Sequence, residues 1–239
     1  MRRLVLLAIG AIGFGCLVVL NVGGYRYGVS DQAFYIPVIL QELTPNMYPH
    51  DASLIAAQDR FFFFDDWFAG ILRYSNISIP SGFLIGYALT LLLIFGAIVA
   101  VGRSIYTSWW TVSALAIGLT IRHRIPDTAV NTLESYFHPR LLAFSIGLWA
   151  VAAFLRGRTW LALVVTGIAL LAHPTTGLWF VVFVGSAALV SDRNARPSLI
   201  ALIFMAVVGA TYALAGPLRE QLVVMDLSLI HISEPTRPY

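Results

Sequence analysis

Seven apolar runs separated by short polar connections constrain this chain more than any other feature. They lie at residues 4–20, 82–102, 105–121, 141–155, 160–172, 177–190 and 199–215. A helix crossing a bilayer needs about 20 mainly apolar residues, within a range of about 17–25. The runs predict an all-α, polytopic integral membrane protein with about seven transmembrane helices. Composition agrees: 59% of the residues are hydrophobic and 11% charged, against about 45–50% and about 25% in soluble domains. A soluble enzyme, a disordered protein and a nucleic-acid binder with a basic face are thereby excluded. The short runs at 160–172 and 177–190 flank His173-Pro-Thr-Thr176. They read either as two spans joined by a tight turn or as one partly re-entrant hairpin.

All 15 basic residues are arginines, a usage compatible with a GC-rich bacterial genome. The single cysteine, Cys16, sits inside the first run, so no disulfide framework or Cys-based zinc site is possible. Gly13-Phe-Gly-Cys16 is faintly similar to a lipoprotein cleavage site, but bulky Phe14 and the later spans favour an uncleaved first helix. Arginines crowd into the short connections near 103, 156–158 and 193–196, and spread over long loops on the other side. The positive-inside rule discounts long loops, which places the N-terminus in the cytoplasm and the protein in the cytoplasmic membrane. The first outer loop, 22–80, has three arginines against six acids, the sign expected of a translocated segment.

The last stretch, 227–239, breaks the preceding pattern. It resembles the in-frame translation of a transposon-end sequencing adaptor. On that reading the gene is cut near Asp226, residues 1–226 are the N-terminal part of a larger membrane domain, and 227–239 lie outside the fold.

Loop 22–80 is too apolar for a free linker. Ser30-Asp31 reads as a helix start, with the acid well placed against the N-terminal dipole. Pro37 is tolerable there only in the first turn. A second helix is expected from Ala52 through Phe61–Phe64 to Ile71. Aromatics beside charges favour both helices lying in the membrane interface as a shelf. Glu42, Asp59, Asp65 and Asp66 read as solvated. Asp65 and Asp66 point about 100° apart on a helix and cannot serve one site.

Under this topology the remaining polar groups fall on one membrane face: Asp31, Tyr48-Pro-His-Asp51, the stretch from Arg122 to Arg140, and His173. Ionisable groups near a bilayer are costly and usually face a cavity, so the asymmetry predicts an outward-facing polar pocket. His138 and His173 each precede proline, which restricts them to extended geometry and also suits a helix start. Arg122, Arg124 and Arg140 fit either phosphate binding or lipid anchoring. Zinc wants closely spaced His and carboxylate ligands, and neither HxxxH nor HExxH occurs. The cofactor is left open; a divalent cation has no clear motif here.

At Ser30-Asp31-Gln-Ala-Phe-Tyr35 the chain resembles the GT-C membrane glycosyltransferases, whose first outer loop opens with an Asp, an acidic residue and an aromatic at the head of an interfacial helix. Tyr48-Pro-His-Asp51 is similar to the Pro/His stretch that ends that helix. The resemblance extends in layout over residues 1–215. It implies a mannosyl- or arabinosyltransferase-like enzyme that moves a sugar from a polyprenyl-phosphate carrier to an acceptor outside the membrane. Asp31 would be the catalytic base. Arg122, Arg124, His138 and Arg140 would hold the leaving phosphate. Tyr35, His50, Asp51 and His173 would stand behind them. Gln32 departs from the family's acidic residue. The implied partners are membrane lipids and the lipid-linked donor, not nucleic acid. The alternatives are a transporter or flippase subunit, which needs ionisable groups near mid-span, and a non-catalytic envelope-assembly protein.

Overall fold

A computed structural model of the chain describes residues 2–45, 47–51, 55, 63–121, 123 and 131–215. Its described residues are all-helical, with nine helices. These are α1 (Arg2–Asn21), α2 (Gln32–Leu43), α3 (Phe64–Ser75), α4 (Ile79–Ile105), α5 (Trp109–Thr120), α6 (Pro139–Leu155), α7 (Thr159–Ala172), α8 (Pro174–Ser191) and α9 (Arg196–Ala215). Three of them, α1, α4 and α8, are long and apolar enough to cross a membrane. The others in apolar runs are shorter. The chain is therefore a helical membrane protein by length and composition. Cys16 lies exposed within the unbroken α1.

The chain divides into two compact units, Met1–Ala188 and Leu189–Tyr239. Within the second, Asp192 Oδ1 accepts the N–H groups of Asn194 and Ala195 at 3.1 and 3.0 Å. Its aspartate thus starts α9 by the usual capping logic. Arg196 folds back onto the Leu189 and Val190 carbonyls.

In the first unit the helices meet along seams of small residues. Ala150 and Ala153 of α6 pack against Ala162 of α7 and Val184 of α8. A built Cβ on Gly96 would stand 2.9 Å from the Trp149 ring, and Trp149 donates to the Leu93 carbonyl at 3.0 Å. Lipid supplies no hydrophobic force between helices, so close van der Waals approach through small residues holds such a bundle. Gly177 carries this furthest: a Cβ there would collide with the Leu170 backbone, so α7 and α8 fold back as a tight pair.

One end of the unit gathers the helix termini that position the polar pocket. Asn21, closing α1, donates to the Thr120 carbonyl and hydroxyl at 3.0 and 3.1 Å. Tyr87, near the start of α4, donates to the Glu134 carbonyl at 3.0 Å. Arg26 N–H bonds the Ser135 carbonyl at 2.7 Å. Elsewhere in this unit, arginines bind backbone carbonyls in the last turns of α4 and just beyond it. Arg156 reaches the Ala100 carbonyl at 3.1 Å, and Arg103 reaches that of Tyr106 at 3.1 Å while lying over Trp109. That clasp ends α4 at Ile105 and starts α5 at Trp109, so the expected run at 105–121 begins four residues late.

The loop after α1 does form two helices, with corrections. Pro37 lies inside α2, beyond its first turn, so that helix gives up one backbone bond. α3 starts at Phe64 and runs to Ser75; the expected start from Ala52, and Asp59, lie outside the described residues. Asp65 is buried at 2% exposure while Asp66 is exposed, which corrects the solvated reading for Asp65 and bears out their divergence. Glu42 is exposed, as expected. The face of α3 that carries Phe64, Phe68 and Leu72 is core. Phe64 and Phe68 stack at 5.3 Å, and Phe68 meets Phe83 of α4 and Phe137 at 5.2 and 5.5 Å. The opposite face of α3 leaves Trp67, Ile71 and Tyr74 exposed.

Candidate active site

Asp31 occupies the N-cap position of α2, but its carboxylate makes no cap bond. Ser30 just before it adopts φ 53°, a left-handed conformation that costs a non-glycine residue about 1–3 kcal/mol. That turn sends the Asp31 side chain toward the segment preceding α6. Oδ2 lies 2.7 Å from His138 Nε2 and 3.4 Å from the Tyr136 hydroxyl, which donates to it.

Why these two residues meet Asp31 follows from local geometry. His138 is extended, with φ −143° and ψ 137°, and side chains two apart in an extended chain share a face. Tyr136 and His138 therefore point together, while Phe137 between them enters the aromatic core. Gln32 fastens the opposite wall. Wholly buried, it accepts the Gly28 N–H at 2.7 Å and donates to the Phe137 carbonyl at 3.0 Å. Gln32 is thus a brace between loop and site.

His138 also caps α6: its Nδ1 accepts the Arg140 N–H at 2.9 Å. A nitrogen that accepts an N–H carries no proton of its own. His138 accordingly presents Nε2 to Asp31 as its donor. His173 repeats the arrangement at α8, its Nδ1 accepting the Thr176 N–H at 3.2 Å. The two rings stand 6.0 Å apart. Both His–Pro steps are helix starts, and both also border Asp31's pocket.

The electrostatics follow from these contacts. The His138 hydrogen bond holds the Asp31 carboxyl below its usual range, with Arg140 and Tyr136 adding to it against the opposing effect of burial. Burial pushes the Tyr136 hydroxyl up to about 12. Tyr35, edge-on to His138 at 5.4 Å, is raised by burial and then by Asp31 and Asp65, whose charges both reach it. Burial brings His173 down to about 4, with His138 and Arg140 adding to the effect and Asp31 opposing it. Arg140 is committed to an ion pair with Glu134, which is buried at 5% exposure. Glu134 Oε2 has no partner among the described residues.

The structure therefore brings together Asp31, Tyr35, His138, Arg140 and His173. It does not join His50 and Asp51 to them by any hydrogen bond or ion pair among the described residues; both are exposed, on a turn after α2. Arg122 and Arg124 lie outside the described residues. Arg140 is placed to keep Asp31 ionised, and Glu134 already occupies its guanidinium. Sequence reasoning passed over Glu134 and Tyr136, and met Gln32 only as a departure from an acidic residue. For Tyr136 the signal was its spacing from His138 in an extended stretch; the other two give none without the fold.

Among the described residues no group of three His, Cys, Asp or Glu side chains is arranged to hold a metal ion. The caps add a chemical reason for the two histidines. Metal on Nε2 of either ring would leave both nitrogens unprotonated unless the ring gave up its helix cap. What the arrangement can do is take a proton: an ionised carboxylate, 41% exposed, is gripped on one oxygen by two donors. The chain matches no family model, no curated protein and no solved structure.

Proposed function

We propose that this protein is a GT-C-like membrane glycosyltransferase. On this reading seven helices span the cytoplasmic membrane from a cytoplasmic N-terminus, with α2 and α3 at its outer face. A sugar passes from a polyprenyl-phosphate carrier to a hydroxyl acceptor, with inversion. The observation that carries the reading is the half-exposed Asp31 carboxylate, oriented by His138 and Tyr136 where the apolar helices end.

The chemistry is general-base catalysis. The acceptor oxygen attacks the anomeric carbon as the bond from that carbon to the phosphate oxygen breaks. The phosphate leaves with the bonding electron pair, and the acceptor's proton passes to Asp31. A carboxylate below its usual pKa is a weak base in the ground state, but the hydroxyl proton becomes strongly acidic as the new bond forms. His138 and Tyr136 hold Oδ2, which leaves the other oxygen to receive the proton. Arg122 and Arg124 are the cations proposed for the leaving phosphate. The transporter reading is disfavoured because, among the described residues, charged side chains in α1 and in α4–α8 sit only in terminal turns.

The test is transfer of labelled hexose from a polyprenyl-phosphate hexose in membranes carrying the protein. Asp31→Asn should lower transfer at least about 100-fold, the small end of what a positioned base supplies. Undiminished transfer would remove Asp31 from the mechanism. Sidedness is read by attaching an impermeant thiol reagent to His50→Cys and Arg193→Cys in a Cys16→Ala background. Only the former should react from outside.

A further inference from the structure

An apolar groove of about 450 Å³ runs beside the site, lined by Phe63 and Trp67 from the α3 end, Leu142 and Ile146 of α6, and Ile168 and Leu171 of α7. Its volume lies in the range that holds a substantial ligand, about 300–1,000 Å³. The groove meets the site at both of its histidines. Leu142 is one turn beyond His138, its N–H bonded to the His138 carbonyl at 3.2 Å. Ala172, which also lines it, directly precedes His173. On the α3 side, Phe64 follows Phe63 and packs against Tyr35 at 6.1 Å, which in turn packs against His138.

The head of this groove has a definite chemistry. Both imidazoles turn Nδ1 to a helix N–H group, which leaves Nε2 as the donor of each ring. Asp31 is ionised, and Arg140 is paired with Glu134. A hydroxyl suits these groups, since it donates to a carboxylate and accepts from an imidazole N–H. A phosphate brought to the same place would meet the Asp31 carboxylate. We propose that the groove holds the hydrocarbon chain of a lipid alcohol, and that its hydroxyl is the acceptor delivered to Asp31. The inference rests on Asp31 being the transferase base, and it identifies the acceptor as lipid-borne. In the transfer step that hydroxyl oxygen bonds the anomeric carbon, its proton goes to Asp31, and the carrier phosphate departs with the electron pair.

The test uses the protein in nanodiscs and a long-chain alcohol bearing a diazirine at mid-chain, with labelled peptides mapped by mass spectrometry. Label should fall on α6 and α7 residues lining the groove. Unlabelled alcohol should compete about tenfold better than the phosphate monoester of the same chain, the scale of one hydrogen bond to a charged group. Ile168→Trp, at a partly exposed position, should cut labelling several-fold. Leu92→Trp, in a separate groove between α1 and α4, should not. Label absent from α6 and α7 overturns the proposal, as does phosphate competing equally or better, or equal loss in both tryptophan variants. Labelling needs neither donor sugar nor turnover, so its failure is distinct from a failed transfer assay.

Discussion

His138 binds Asp31 with one ring nitrogen and the start of α6 with the other, at 2.7 and 2.9 Å. The two bonds separate by substitution. His138→Ala removes both and should cost about 1 kcal/mol through the lost cap alone. His138→Asn supplies a cap oxygen on a side chain too short for Asp31. Thermal unfolding in detergent should show Asn restoring most of the lost stability. Transfer should stay roughly 10- to 100-fold down in both, as expected for removing a hydrogen bond to a charged group. Recovery of activity with the cap would show that His138 serves the helix only.

Gln32 is buried with both ends of its amide bonded. Gln32→Ala leaves the Gly28 N–H and the Phe137 carbonyl without it, at about 1–3 kcal/mol for each group left unsatisfied. Gln32→Glu puts a carboxylate against the Phe137 carbonyl, and burial raises its pKa above the unfolded value. Its penalty is therefore largest at neutral pH and shrinks as pH falls and the acid protonates to become a donor. Unfolding midpoints at pH 7 and pH 5 check this: the glutamate variant should gain on wild type at the lower pH. A constant difference would count against the Phe137 contact.

Stability should also fall between pH 6.5 and about 4. His173 is lowered from 6.5 to about 4 in the folded protein, so below pH 6.5 the unfolded chain binds a proton that the folded one refuses. Stability is then lost as pH drops, until the folded ring also protonates near 4. Asp31, held below 3.8, stays ionised across that window. His173→Asn keeps a capping oxygen for Thr176 and should flatten the pH dependence of the unfolding midpoint. An unchanged slope would place the sensitivity elsewhere.

Gly177 and Gly118 provide a matched pair. A Cβ at Gly177 collides with the Leu170 backbone, whereas one at Gly118 meets nothing within 4 Å. Gly177→Val should destabilise by about 3 kcal/mol, at the upper end of overpacking. Because His173 lies one turn away, transfer should fall with it. Gly118→Ala should be neutral or stabilising by up to about 1 kcal/mol. Equal effects in a detergent unfolding assay would deny the tight α7–α8 pair.

Much of this architecture was legible in the sequence. Apolar runs give away helices because length and composition act locally, and helices form at all seven runs. The His–Pro steps announced α6 and α8 because X-Pro geometry is set by adjacent atoms. The expected topology put Asp31, His138, Arg140 and His173 on one side, and the structure brings those four together with Tyr35. Other features depend on partners distant in sequence. Asp65 looks like any surface acid until α3 packs against α2 and buries it, and Gln32 acquires its role from Phe137, 105 residues away. Pro37 inside α2 violates a local preference, and packing of Val38 and Ile39 outweighs it. The ion pair of Arg140 with Glu134, six residues earlier, is likewise set by the fold.

The paired His–Pro starts tie chemical competence to the winding of two helices. As α6 and α8 form their first turns, each imidazole is fixed in one tautomer before any ligand arrives. Reading Asp31 as a base therefore requires no rearrangement on encounter: which ring nitrogens face the pocket is decided during folding. A chain whose helices start even one residue out of register would keep its secondary structure and lose the pocket's donors together.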